Sequence, residues 1–207
     1  MLSKNHLRTS LIACFLLVTG TFAFAQEKNK VTVTGSVQSD MLVPTEPINS
    51  GNGMINNDFL TNTYVDANLR SNHIDAGVRF EYMQQPMPGF EPNFKGWGVP
   101  YGYVKYHDKK LEATAGTFYE QFGSGFILRT YEERSLGIDN SLLGAKVVLK
   151  PIEGVQLKAL SGVQRTYWRW EKNLISGADL EIGLEQFIKR MKEHNTYLTL
   201  GASWVHK

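Results

Sequence analysis

The residues with the most chemical capacity fall in two settings. One is a set of alternating runs that carry Asp66 and Arg70, then Asp75, Arg79 and Glu81, then Glu112. The other is the longest and most charged loop of the chain, Glu120 to Arg134 and on to Gly137, with Arg129, Glu132, Glu133 and Arg134. Facing rows of opposite charge set up a transverse field across a water-filled path, and a loop folded inward narrows that path. The hypothesised lining is Asp75, Arg79, Glu81, Glu112, Glu120 and Arg129. A solvated external loop with ordinary ion pairs fits the same residues, so both placements of the loop stay open.

Other chemistries fit less well. Gly123-Ser-Gly125 lacks the Lys-Ser/Thr ending and the following helix of a phosphate-binding loop. It also lacks the Gly-x-Ser-x-Gly spacing of a nucleophile elbow. A lipase-like barrel needs Ser, His and an orienting group close in space. His73, His107 and His194 fall in or beside turns at one end of the strands, His206 lies near the end of the chain, and Ser124 lies at the other end. The apolar band of a membrane barrel, ~25 Å tall, would separate them. No two histidines have metal-ligand spacing. No catalytic residue, metal or cofactor is assigned. Phe90, Phe94, Trp97, Trp168 and Trp170 sit in or next to loops, where they stack on a sugar, dock a partner, or simply pack the loops over one end.

These groups need strands to position them. Lys30–Leu42 alternates Val31, Val33, Gly35, Val37, Ser39 and Met41 with Thr32, Thr34, Ser36, Gln38 and Asp40. Strict alternation is the signal of a half-buried strand. Phe59–Arg70 and His73–Gln84 follow the same rule, with Ile74, Ala76, Val78, Phe80 and Tyr82 opposite the charged row. Further strands are expected at Tyr101–Tyr106, Leu111–Tyr119, Leu142–Lys150, Val155–Trp168, Ala178–Ile188 and Thr196–Val205. The run from Leu184 to Glu193 also reads as a short helix. The connections alternate long, short, long, short, long, short, moderate (Arg169–Gly177), short. Short turns are expected at Ser71, His107, Pro151 and Lys189.

Residues 1–25 have the layout of a signal peptide: basic Lys4, His6 and Arg8, an apolar Leu11–Val18 core, and Ala23-Phe-Ala25. The apolar run is shorter than the ~20 residues of a spanning helix. Cys14, the one cysteine, lies inside it, too early for a lipid-attachment site. Without Lys4 and Arg8 the chain has 20 acidic residues and as many basic ones, which gives no support for nucleic-acid binding. Residues 26–207 then form one domain.

Loop asymmetry and aromatic residues near strand ends (Tyr82, Tyr101, Tyr103, Tyr119, Tyr167, Trp168, Trp170, Tyr197, Trp204) are features of outer-membrane barrels. The expected fold is all-β: an up-and-down antiparallel transmembrane β-barrel of eight or nine strands. A soluble β-sandwich shares the alternation, but it does not explain a wholly apolar face opposite a charged one. Nine strands do not close a standard bacterial barrel, and Trp204-Val-His-Lys207 lacks a closing aromatic residue. The barrel is therefore expected to be partial, or eight-stranded if Ala178–Ile188 is not a strand.

Three stretches carry a resemblance: Gly116-Thr-Phe-Tyr-Glu-Gln-Phe-Gly-Ser-Gly-Phe126, Tyr131-Glu-Glu-Arg-Ser-Leu-Gly-Ile-Asp139, and the Gly144 strand after them. Here the chain resembles a family of porin-like outer-membrane proteins from Bacteroidota. The resemblance implies a fold and a place, the cell outer membrane, and no catalytic residues. The expected function is passage of small solutes, with outer-membrane lipid around the barrel. The alternative is a structural or partner-binding barrel, docking for instance an envelope lipoprotein.

Overall fold

The computed structural model describes residues 31–49, 54–55 and 59–207. The signal-peptide expectation lies outside the described residues. Nine strands form one antiparallel sheet: β1 (Thr32–Leu42), β2 (Leu60–Arg70), β3 (Ile74–Gln85), β4 (Gly96–His107), β5 (Leu111–Phe118), β6 (Leu142–Leu149), β7 (Val155–Thr166), β8 (Arg169–Gly183) and β9 (Thr199–His206). Each pairs with its neighbours in sequence, so the order is β1 to β9 without a crossover. The fold is all-β and up-and-down, and the sheet is open between its edges β1 and β9.

Local chemistry sets several turns. In the β4–β5 hairpin the Asp108 carboxylate accepts hydrogen bonds from the backbone N–H of Lys110 (2.7 Å) and Leu111 (2.8 Å). Those two bonds hold its pKa below the usual carboxylate range. Ser71 caps the β2–β3 turn, its Oγ 2.9 Å from the Ile74 carbonyl. Pro100 lies inside β4, where a bulge opposes Phe80 and the missing N–H is tolerated.

Two expectations are corrected. Arg169–Gly177 is not a loop: it is the first half of β8, and β7 and β8 are joined by a tight turn at Tyr167 and Trp168, with Tyr167 at φ 55°. A bulge between Val163 and Arg165 shifts the alternation there and hides the strand in the sequence. The strand also ends earlier than Ile188. Leu184–Gln186 forms a 3₁₀ turn and Lys189–Glu193 a short helix, α1. The long–short alternation therefore holds from β1 to β7 and reverses over the last two connections.

The registers give the sheet two unlike faces. One face carries Val33, Val37, Val65, Val78, Phe80, Val104, Leu149, Leu157, Leu200 and Trp204, all exposed. The opposite face carries Asp66, Asp75, Arg79, Glu81, Lys146, Lys158 and Asp179, and loops cover much of it. Gly116, Gly144 and Gly162 lie side by side on this polar face across β5, β6 and β7. A Cβ on Gly144 would meet the Ser161 carbonyl at 2.0 Å, and one on Gly116, at φ +109°, the Gly102 carbonyl at 2.3 Å. Neighbouring backbone fills the space of a side chain, which marks a sharp bend toward the polar face.

Candidate functional site: a charged sheet face under a loop

The segment 119–141 leaves β5, crosses the polar face and returns as β6. One small apolar cluster holds this cover, and a second holds the β3–β4 connection beside it. Phe122 and Leu128 of the segment pack with Phe118, Leu142, Leu160 and Ile175 of the sheet. Phe90 and Phe94, from the β3–β4 connection, pack with Tyr64 and Met83. Trp168 donates its indole N–H to the Phe94 carbonyl at 3.0 Å, so it too packs a loop. Trp97 differs: it is on the apolar face, exposed and 6.2 Å from the Phe80 ring.

Charge knits the same segment to the wall. Arg79 on β3 donates to Asp66 of β2 at 2.7 Å and to Glu132 of the loop at 2.5 Å. Arg134 of the loop bonds Glu132 (3.1 Å) and Gln38 of β1 (3.0 Å), lies 3.5 Å from Asp66, and stacks over the Tyr64 ring at 4.3 Å. Arg165 of β7 grips Glu81 from two nitrogens, at 2.7 and 3.3 Å, and also donates to Asp139. Arg165 and Glu81 are almost wholly buried. Each charge is paired and hydrogen-bonded, the condition under which burial of charge is tolerated.

A second group lies toward β6–β9. Glu120 accepts from Lys146 at 3.0 Å and from Lys158 at 3.3 Å. Burial pushes the Glu120 carboxyl up, but Lys146, the Gln121 N–H and Lys158 together outweigh it and hold the pKa below the usual range. Lys146 also lies 3.7 Å from Glu112, and Lys158 lies 3.9 Å from Glu181 and 4.0 Å from Asp179. At the far end of β3, Asp75 faces Lys105 (3.3 Å) and His107 (3.5 Å).

Of the expected lining, Asp75, Arg79, Glu81 and Glu112 share the polar face, and Glu120 reaches onto it from the loop. Arg129 is exposed, over the ring of Tyr131 at 5.0 Å, and does not join these ion pairs. Gly123 and Gly125 adopt left-handed conformations and make Ser124 part of a turn. Glu81, Glu132 and Asp139 come within 4.8 Å of one another. Arg79, Arg134 and Arg165 already pair with its three members, so it is an ion-pair lattice. Arg165, Lys146, Lys158, Asp139 and Asp179 are the members that sequence reading passed over. Lys146 carried a signal, a single charge in the apolar run Leu142–Leu149.

Fold and site together define an all-β protein with one apolar and one charged sheet face, the charged face clasped by its own longest loop. The chain belongs to a family of unknown function (DUF6029), whose model matches residues 5–207. A search of curated proteins finds no match.

Proposed function

We propose that this chain forms the wall of an outer-membrane β-barrel that passes small solutes, a porin-like protein of the kind its Gly116–Phe126 and Tyr131–Asp139 motifs resemble. A cleaved segment 1–25 would direct it to the Gram-negative envelope. The observation that carries the reading is the pair of faces. Nine successive strands turn a mainly apolar surface to one side, interrupted by paired hydroxyls such as Ser39–Thr63 and Ser161–Ser176, and gather their charges on the other. In water such an apolar area is a liability. Against lipid it is the required outer surface, and the charged side becomes the lumen. Among the described residues no helix is long and apolar enough to cross a membrane, which leaves a crossing by strands unaffected.

The segment 119–141 would then narrow the lumen. Its ion pairs and apolar anchors also favour a second reading, a partner-binding or structural barrel in which the loop is a plug. Fractionation with a gel-shift assay separates these. In the pore reading the protein partitions with the outer membrane, migrates faster unboiled than boiled, and conducts in planar bilayers. A boiling-dependent shift without conductance selects the plugged barrel. A soluble product with no shift, given also by the product of the extended reading frame, removes both.

A further inference from the structure

A cavity of about 560 Å³ opens between the loop turn at Phe122–Ile127 and the polar face of β8 and β9. One wall is apolar, built by Phe122, Phe126 and Ile127; the other is polar, built by Glu181, Thr199 and Ser203. Gly201 forms the floor between them.

The charge beneath this cavity does not balance. Among the described residues, Glu112, Glu120, Asp179 and Glu181 share two ammonium groups, Lys146 and Lys158. Asp179 carries the deficit most plainly. It is 2% exposed, and Ser203, a cavity residue, donates to its Oδ1 at 2.6 Å. Its Oδ2 has no hydrogen-bond partner, and the nearest cation, Lys158, stands 4.0 Å away. A buried carboxylate oxygen without a donor carries a desolvation cost that an added cation relieves. Glu181 is partly exposed and reachable from the cavity.

We propose that this cavity binds a small organic cation, a primary ammonium group on a short apolar stem. The ammonium lies toward Glu181 and the Ser203 hydroxyl, over the buried Asp179 carboxylate that this hydroxyl donates to. The stem lies against Phe126 and Ile127, and the exposed Phe126 ring face attracts cations as well as covering the carbon chain. A metal ion fits less well. Hard cations need several converging oxygens, and the trio of carboxylates that does converge, Glu81, Glu132 and Asp139, lies elsewhere. The inference rests on the cavity and not on the pore reading; with that reading, it names the class of solute.

The test uses the full chain purified in detergent, titrated calorimetrically with butylammonium, butanol and butyrate, which share a stem and differ in charge, and with calcium chloride. Saturable binding of butylammonium alone is expected. Glu181→Gln should weaken it about tenfold or more, as loss of a hydrogen bond to charge does. Gly201→Val should abolish it by filling the floor. A Cβ there meets nothing nearer than the Leu180 carbonyl at 3.6 Å, so the strand accepts the change. A circular-dichroism spectrum and thermal midpoint like those of the unaltered protein confirm folding of each variant. Equal binding of butanol, displacement by calcium, or unchanged affinity in both folded variants would overturn the inference. Bilayer conductance on the same preparation keeps the two readings apart. Binding without conductance removes the pore alone, and conductance without binding removes the cation site alone.

Discussion

Arg165 shows best how a single side chain holds this molecule together. Its guanidinium meets Glu81 and Asp139, and its Nε donates to the Tyr167 carbonyl at 2.7 Å. One planar fork thus ties β7, β3, the loop and the β7–β8 turn. Lysine has no such fork. Replacing Arg165 with Met leaves Glu81 buried without its strongest partner, a loss of ~3–5 kcal/mol for a broken buried pair. Arg165→Met should therefore lower the denaturant midpoint sharply, and Arg165→Lys should recover only part of it. Equal midpoints for Arg165→Met and the unaltered protein would show that the fork contributes little. Glu81 was legible in the sequence because it alternates with Phe80 and Tyr82. Its partner was not, because Arg165 follows a bulge and lies 84 residues away.

At the level of elements, the loop from 119 to 141 is the part whose position composition left open. Its length and charge were visible. Its direction depended on complementary charges on strands far away in sequence, such as Arg79 and Asp66. Strand periodicity was legible wherever the pleat ran undisturbed, as in β1 and in Ile74–Tyr82 of β3. It failed at the β8 boundaries, where the bulge near Arg165 shifts the phase and Tyr167 permits a two-residue turn. The anchor at Glu120 gives the loop a pH dependence with a definite sign. Its folded-state pKa is lowered, so the anchoring is complete above the ordinary carboxylate range. It is lost as the pH falls through the depressed value. Limited proteolysis should cut the exposed Gly123–Phe126 turn faster under acid conditions with an acid-active protease. Glu120→Gln should be cut readily at every pH, with a flatter pH profile. A profile unchanged in that variant would mean that Glu120 does not set it.

On the scale of the whole molecule, the two faces make opposite demands on substitution. Val78 is 46% exposed at the middle of β3 on the apolar face. If that face meets lipid, Val78→Arg should cost ~2–4 kcal/mol on folding into vesicles, the cost of a cation near the bilayer midplane. In a protein that is soluble in water, the same change at an exposed strand position would fall within the small range of surface substitutions. Refolding yield into vesicles, read by the boiling-dependent shift, measures the difference.

The strictly sequential order of the nine strands also has a consequence for how the chain acquires its shape. Every strand joins the one made just before it, so hairpins can close one after another, and even the long connections add little to the entropy cost because that cost grows slowly with loop length. The distant links come almost wholly from the polar face: Arg165 to Glu81 across 84 residues, and Arg134 to Gln38 across 96. Those contacts need a sheet already in place to receive them. The clasp of loop and charges is therefore expected to form last, after the sheet that receives it.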